Sequence, residues 1–316
     1  MRIASLDIGT NTVLLLIVEV DSERIRVIRD DHAIARLGEG VDRTGRISDE
    51  ACERFLSVLT VHSATIKANN VDHIAAVTTS AVRDAENRDE IIRRAKEGTG
   101  IEIELLSGDD EAQWTYRGAL LGANLETEGS VGVVDIGGGS TEISIGDGKH
   151  FESGVSMDIG AVRITERCFP TVPVSHLAID QARRMIRETL HQSIPIPLKF
   201  SRLIAVAGTP TTLAAMDQLL FQFDAARVQN YILRRDSVDR LLYIMSNIDT
   251  PTLLEHFPAI NKARADILPA GTLILAEVME FCSVRAVRVS TRGLRYGIAL
   301  REAIRHLGER DYTIEE

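Results

Sequence analysis

The amino-acid sequence predicts an α/β protein of two related domains, and two observations lead to this prediction. Short apolar segments typical of strands, such as 73–78 and 203–207, alternate with longer amphipathic segments typical of helices. An apolar strand followed by Asp-Ile-Gly and a second apolar strand occurs at Asp7 and again at Asp135, about 130 residues later. The length of 316 residues is ample for two domains with separate cores.

The composition argues against several classes of protein. Hydrophobic residues make up 44% of the chain and charged residues 26%, and no apolar run approaches the roughly 18 residues of a membrane helix. The net charge of −10 argues against a nucleic-acid or membrane-surface binder, because such affinity comes from summed basic charge. The three cysteines are far apart and lack zinc-binding spacing. We therefore expect a cytoplasmic protein that binds neither nucleic acid nor membrane.

The segment 132–145 has the residue types of a phosphate-binding hairpin. Two apolar strands flank a turn of three glycines, which permit positive φ and close approach of backbone N–H groups to an anion. The hydroxyls that follow the glycines add further donors, and Asp135 and Glu142 can hold a divalent metal ion or orient a water molecule. The candidate phosphate ligands of this turn are Gly137, Gly138, Gly139, Ser140 and Thr141.

The N-terminal segment 3–17 repeats this arrangement around Asp7. Its candidate phosphate ligands are Gly9, Thr10, Asn11 and Thr12. A lone glycine-rich turn also occurs in ordinary β-hairpins, but a second copy favours a shared function. The repeat indicates two related domains that each present a hairpin to a common cleft.

These two loops, together with Ala205–Leu213, resemble the phosphate and nucleoside motifs of the superfamily that contains actin, hexokinase and the heat-shock chaperone ATPases. Within it, residues 5–12, 106–112 and 135–142 resemble the exopolyphosphatase/guanosine pentaphosphate phosphohydrolase (Ppx/GppA) family in their order and spacing, from Met1 to about Arg301. The resemblance implies an α/β fold of two ribonuclease-H-like (actin-like ATPase) domains with mixed sheets that flank a central cleft.

The resemblance also implies domain boundaries. We expect a first domain at residues 1–124, joined by a final helix at about 299–316, and a second domain at 125–298. The polar segment 123–130 is predicted to be the hinge. Longer family members continue into a helical domain with a His-Asp metal motif, whereas this chain ends at Glu316 and has no His-Asp dipeptide. It is therefore identified as the short, two-domain form.

Two further site residues follow from the resemblance. In the segment 107–112, Glu111 matches the catalytic base of the family, whereas Ser107 is expected to cap a helix with Asp109 and Asp110 in its first turn. Arg83, in a Thr-Ser-Ala-Val-Arg segment that follows a predicted strand, matches a phosphate-contacting arginine. The alternative for Arg83 is a solvent-exposed residue on a helix surface.

The remaining segments carry weaker signals. Gly208 and Thr209 follow a predicted strand and precede a helix expected from about Leu213, which is an anion-binding arrangement for phosphates or a nucleoside. Arg163 is expected to face either the cleft or solvent. The Gly-rich segment 36–46 is predicted to be a loop, and 284–290 the last strand. In the predicted helix 175–191, a basic face is expected to be solvated: Arg183, Arg184 and Arg187.

The resemblance implies hydrolysis of a terminal phosphoanhydride. Mg²⁺ or another divalent cation is expected at Asp135, with Asp7 or Glu142, and Glu142 is counted among the catalytic residues together with Glu111. Inorganic polyphosphate is the favoured substrate because the chain has the short form, and guanosine pentaphosphate (pppGpp) is the alternative. The sequence leaves open a kinase or ATPase of the same superfamily, a non-catalytic sensor of alarmone or polyphosphate, and whether the chain forms a homodimer.

Overall fold

The computed structural model describes residues 1–123, 129–169, 171, 173–195 and 198–315. Most of the predicted hinge, and the predicted boundary between residues 124 and 125, lie outside the described residues. The elements up to residue 123 are β1 (Arg2–Ile8), β2 (Thr12–Asp21), β3 (Arg24–Ile34), α1 (Val41–Thr44), α2 (Asp49–Ala68), β4 (His73–Thr78), α3 (Ser80–Arg83), α4 (Arg88–Thr99), β5 (Ile103–Leu105) and α5 (Gly108–Leu120).

The remaining elements lie between residue 129 and the C-terminus. They are β6 (Val131–Ile136), β7 (Thr141–Gly146), β8 (Phe151–Met157), α6 (Ala161–Cys168), α7 (His176–Ser193), β9 (Arg202–Val206), α8 (Gly208–Asp217), α9 (Ala225–Val228), β10 (Ile232–Arg234), α10 (Arg235–Asn247), α11 (Thr250–His256), a 3₁₀ turn (Lys262–Arg264), α12 (Leu268–Phe281), β11 (Ala286–Val289), α13 (Leu294–Leu307) and β12 (Thr313–Glu315).

The chain divides into two compact units, and each contains one six-stranded mixed sheet. Unit 1 is Met1–Glu126 with Arg292–Glu316, and unit 2 is Thr127–Thr291. The strand order is β12-β3-β2-β1-β4-β5 in unit 1 and β10-β11-β9-β6-β7-β8 in unit 2. In both units an antiparallel three-stranded meander is extended by parallel strands at its first strand. The prediction of an α/β fold with mixed sheets is confirmed.

The sheet of unit 1 is covered by apolar side chains on both faces. Leu6 and Leu15 pack with Phe55 of α2 in one buried cluster, whereas Ile3 packs with Leu300 of α13 in another. Leu6 and Ile3 lie on opposite faces of the sheet because side chains alternate between the two faces along β1. The sheet that carries the Asp7 loop is therefore held rigidly from both sides.

Helix α13 joins unit 1 through backbone contact with α5. A methyl group on Gly297 would lie 1.8 Å from the carbonyl oxygen of Trp114, and one on Gly118 would lie 2.3 Å from that of Gly293. Only glycines allow the two helix backbones to approach this closely. The whole of α13 accordingly belongs to unit 1, and the chain returns to it at Arg292 rather than at the predicted residue 299.

The core of unit 2 contains α12, which is buried along most of its length. Its Glu277 is 2% exposed and accepts hydrogen bonds from the Nε atoms of Arg183, at 2.8 Å, and Arg187, at 2.5 Å. The prediction of a solvated basic face on α7 is therefore wrong for Arg183, which is half-buried, whereas Arg187 is exposed although its i, i+4 spacing brings it to the same buried carboxylate. Arg184 is exposed as expected.

Three local predictions also differ from the structure. Residues 41–44 form α1 within the predicted loop 36–46, and α8 begins at Gly208 rather than near Leu213. Pro210 fits this start because the first turn of a helix does not need its N–H. A further strand, β12, follows the predicted last strand and pairs in parallel with β3. Such a short edge strand has no period that the sequence could reveal.

Within the described residues, no helix combines the length and the apolar character that crossing a membrane requires.

We expect Gly297→Ala to destabilise unit 1 by about 1–3 kcal/mol or more, because the added methyl group overlaps the Trp114 carbonyl and must push α5 and α13 apart. Urea denaturation followed by circular dichroism measures this change. The matched control is Gly98→Ala in α4, where an added methyl group meets no atom within 4 Å. We expect the control to be neutral or slightly stabilising, and equal effects of the two substitutions would contradict the close-contact argument.

Candidate active site

The parallel strands of unit 1 bring three loops to one edge of its sheet. β1 pairs in parallel with β4, and β4 with β5, so the loops that follow these strands begin at the same edge. The loops contain residues 9–12, Thr79–Arg83 and 106–111. They carry the candidate phosphate ligands of unit 1 and the candidate base.

The first loop, residues 9–12, is fixed by hydrogen bonds to its own carbonyl groups. The N–H of Gly9 donates to Thr12 O at 3.0 Å, which closes the turn. Gly38 N donates to Thr10 O at 2.8 Å, and the N–H groups of Ala35 and Arg36 donate to Asn11 O. The start of the predicted loop 36–46 thus holds the first loop in place through hydrogen bonds to its carbonyl groups.

Glu111 lies in the first turn of α5 and is 7% exposed. Arg83 donates from Nη1 to Glu111 Oε2 at 3.1 Å and also to the carbonyl of Leu106 at 3.1 Å. The arginine therefore holds the carboxylate in one orientation, rather than lying on a helix surface in solvent. Ser107 caps α5 as predicted, with its hydroxyl accepting from Asp110 N, whereas Asp109 and Asp110 are exposed.

Asp7 lies at the end of β1, near a buried arginine from α13. Burial raises the pKa of Asp7 to about 6, and the positive charge of Arg295 opposes this shift. Arg295 forms a bidentate ion pair with Asp30, with both distances 2.8 Å, and the hydroxyl of Tyr296 also donates to Asp30. Sequence reasoning missed Arg295, because its place beside β1 depends on how α13 packs.

In unit 2 the two candidate carboxylates of the hairpin lie on one face of the sheet. Asp135 of β6 is directly opposite Glu142 of β7, and Glu142 is opposite Ser156 of β8. Glu142 is 1% exposed and accepts a hydrogen bond from the Ser156 hydroxyl at 2.6 Å. A buried carboxylate held in this way is oriented before any ligand binds.

The glycine turn differs from the prediction in its backbone. Positive φ is found at several glycines of the described chain, but Gly137, Gly138 and Gly139 are not among them. Gly137 instead lies in close contact with the turn, since an added methyl group would lie 3.1 Å from Ser140 O. The hydroxyl of Thr141 donates to Ile159 O at 2.5 Å, so it is engaged within unit 2, although the sequence predicts it to bind phosphate.

The third predicted loop begins α8. Ala207 has φ 77° and ψ −172°, a strained backbone conformation for a residue with a side chain, and Gly208 follows it as the first helical residue. The guanidinium of Arg264 lies directly against Gly208, where an added methyl group would overlap it. Sequence reasoning missed Arg264, which comes from a distant 3₁₀ turn that no motif marks.

The carboxylates of unit 2 are the candidate ligands for a divalent metal ion. In the part of the chain that the structure describes, no group of three or more His, Cys, Asp or Glu side chains could hold a metal ion. Asp135 and Glu142 nevertheless project from adjacent strands on one face. Mg²⁺ is commonly bound by one or two carboxylates, with substrate phosphates and water completing its shell, so these two residues fit it.

Comparison with known proteins identifies the family. A family profile described as Ppx/GppA phosphatase family matches residues 16–306 of the chain. The chain belongs to the Ppx/GppA phosphatase family. The prediction of a hydrolase and the resemblance stated from the sequence motifs are thereby confirmed.

Relatives within the Ppx/GppA family resemble the chain over nearly its whole length. Exopolyphosphatase 2 of Mycobacterium tuberculosis is 34% identical, over 95% of this chain and 98% of the relative. A crystal structure of the Aquifex aeolicus Ppx/GppA family member is 28% identical, covers 97% of this chain and 98% of its own, and has a TM-score of 0.81. A crystal structure of an exopolyphosphatase from Cytophaga hutchinsonii is 26% identical, and the match covers 99% of this chain and 100% of that one, with a TM-score of 0.88.

We expect Asp7→Asn to stabilise the metal-free protein at pH 8 relative to the wild type. The folded-state pKa of about 6 lies above the ordinary value of 3.8, so the wild type loses stability as the pH rises between these values. The difference corresponds to at most about 3 kcal/mol, at about 1.4 kcal/mol per pKa unit, and solvent access to the side chain will reduce it.

Urea denaturation in EDTA at pH 4 and pH 8 measures this effect. The variant should match the wild type near pH 4 and exceed it at pH 8. An equal stability difference at the two pH values would show that burial does not penalise the Asp7 carboxylate.

Proposed function

We propose that the protein is an exopolyphosphatase that releases orthophosphate from the end of inorganic polyphosphate by hydrolysing the terminal phosphoanhydride. The observation that carries the proposal is the buried Glu111 carboxylate, held at 3.1 Å by Arg83 in the first turn of α5. A carboxylate fixed in this way suits a general base for water. The name of the Mycobacterium tuberculosis relative supports polyphosphate as the substrate.

The proposed roles are assigned within each unit separately. In unit 2 the backbone N–H groups of residues 138–140 are the candidate donors to phosphoryl oxygens, and in unit 1 residues 9–12 are candidate phosphate ligands. Glu111 accepts a proton from water while the water oxygen bonds to the terminal phosphorus. The bond from that phosphorus to the bridging oxygen breaks, and the shortened chain leaves with the bridging oxygen. Orthophosphate is the other product.

Asp135 and Glu142 of unit 2 would hold Mg²⁺, and Asp7 of unit 1 is a separate candidate metal ligand. When bound, the ion supplies positive charge that offsets the non-bridging oxygens of the substrate. Arg83 adds a fixed positive charge beside Glu111 and orients it. The net charge of −10 makes such local cations necessary, because the surface as a whole repels a polyanion.

Guanosine pentaphosphate is the alternative substrate, since it also ends in a phosphoanhydride and the resemblance carried by the sequence motifs implies it equally. Hydrolysis of either substrate needs the same water activation by Glu111 and the same phosphate binding by the glycine loop. A direct comparison of turnover therefore decides between them. Cytoplasmic location and homodimer formation stay predictions.

We expect Glu111→Gln to lower kcat for phosphate release from long-chain polyphosphate by about 10²- to 10⁴-fold, because the amide cannot accept the proton of water. The measurement is orthophosphate release with Mg²⁺ from polyphosphate, guanosine pentaphosphate and ATP in parallel. We expect the highest kcat/KM for polyphosphate.

The matched control is Asp109→Asn, which removes an exposed carboxylate from the same helical turn. This variant should retain turnover. A folded Glu111→Gln protein with wild-type turnover would remove Glu111 from the mechanism. Preference for the pentaphosphate or for ATP would reassign the substrate, and no Glu111-dependent release from any of the three would favour a non-catalytic sensor.

A further inference from the structure

The start of helix α6 is hydrogen-bonded to all three carbonyl groups of the glycine turn. The donors are three helix N–H groups, of which that of Arg163 shares Gly138 O at 3.2 Å, and one side chain of the first turn of α6. The bonds are Ala161 N to Gly137 O at 2.9 Å, Val162 N to Gly138 O at 2.8 Å, and Arg163 Nε to Gly139 O at 2.9 Å. Three successive carbonyls therefore point toward α6.

This arrangement fixes where the amide groups of the turn point. In a trans peptide the N–H is directed opposite to the C=O of the same unit. The N–H groups of Gly138, Gly139 and Ser140 therefore point away from α6. In the described chain these three N–H groups donate to no protein group. Successive N–H groups left open in this way form an anion-binding concavity.

Arg163 supplies the bond that the helix backbone cannot reach. Its side chain is 11% exposed, and its Nη2 lies 3.7 Å from Asp158 Oδ1 while Nε donates to Gly139 O. The guanidinium thus spans between the turn before α6 and the last glycine carbonyl. The expectation that Arg163 faces solvent is therefore wrong, because the side chain is largely buried against the glycine turn.

Gly160 allows α6 to begin close enough for these bonds. A methyl group at this position would lie 2.3 Å from Gly138 O and 2.5 Å from the carbonyl carbon of Gly139. Real side chains do not approach a backbone this closely, so a larger residue would force the glycine turn or the helix to move. Gly160 and Arg163 therefore constrain the same three peptide groups through different contacts.

We propose that Arg163 is a positioning residue, which together with Gly160 aims the open N–H groups of residues 138–140 at the substrate phosphate. The proposal rests on the proposed function in one respect, that the anion of this turn is a phosphoryl group. Arg163 acts through the Gly139 carbonyl and touches no reacting atom. Its contribution depends on the Nε–H bond and not on its positive charge.

Two substitutions separate the hydrogen bond from the charge. Arg163→Met keeps the length of the side chain and removes both, whereas Arg163→Lys keeps the charge and removes the Nε–H. We expect each to lower kcat/KM for polyphosphate by about 10²-fold, as displacement of a binding group by about 1 Å does. The fall should appear in both kcat and KM, because the turn binds the phosphate in the ground state and also stabilises charge that develops in the transition state.

Gly160→Ala tests the same three peptide groups without changing a charge. We expect a loss of the same order, from overlap of the new methyl group with Gly138 O. The matched controls are Arg167→Met, which removes an exposed arginine one turn along α6, and Gly98→Ala, where the added methyl group meets no neighbour. Both controls should stay within about twofold of the wild type.

Calorimetric binding of inorganic tripolyphosphate to the full chain, with Glu111→Gln as the background, gives a readout that is independent of turnover. We expect Arg163→Met and Arg163→Lys to weaken this binding about tenfold or more, because the N–H groups of residues 138–140 would no longer be aimed at the charged ligand. Melting temperatures of all variants identify any that fail to fold, and Arg163→Lys is the variant expected to fold best.

Each outcome decides the proposal. Weaker binding and lower kcat in both Arg163 variants, with intact controls, supports it. Wild-type binding and turnover in Arg163→Lys would overturn it, because the positive charge alone would then suffice. Wild-type binding and turnover in Arg163→Met would also overturn it, because neither the charge nor the hydrogen bond would then be needed. If the wild type binds tripolyphosphate but hydrolyses no substrate, the proposed function is wrong. The binding measurements then decide by themselves whether Arg163 positions the glycine turn.

Discussion

The direction of the peptide groups in the two Asp-Ile-Gly loops is the constraint on which the candidate site depends. In unit 1 the carbonyls of Thr10 and Asn11 accept hydrogen bonds from residues 35–38, and in unit 2 the carbonyls of Gly137–Gly139 accept them from the start of α6. In unit 2, where each of these C=O groups is satisfied by protein, the N–H groups of residues 138–140 on the other side of the peptides are left for an anion. Both loops therefore have their carbonyl groups fixed by neighbouring segments, and these segments differ between the units.

Arginines from neighbouring helices balance the buried carboxylates of this acidic protein. Arg83 pairs with Glu111, and Arg295 forms a bidentate pair with Asp30 beside Asp7. The pair of arginines on α7 does the same for Glu277 in the core of unit 2. Burial of a carboxylate costs hydration, which such a partner offsets, so these contacts fix the orientation of the groups. Orientation is what a general base requires.

Family membership and geometry limit the chemistry in different ways. The Ppx/GppA profile and the M. tuberculosis relative connect the chain with phosphatases. The geometry adds why a water-activating role suits Glu111 and not its neighbours: Asp109 and Asp110 are exposed in the first turn of α5, and Asp110 takes part in the Ser107 cap. Only the third carboxylate of that run is directed inward and held by an arginine, because a helix turns about 100° per residue.

The sequence by itself determined the α/β class, the paired hairpins, the capped helices α2 and α5, and the family, since these depend on local periodicity, turn residues and motif order. Only the tertiary structure decided that α13 belongs wholly to unit 1, that Arg295 lies beside Asp7, and that Arg163 holds the glycine turn. Each of these depends on contacts between segments far apart in the chain, or on backbone directions within one turn. Neither leaves a periodic signal in the sequence, because many residue types could occupy such positions until the packing is known.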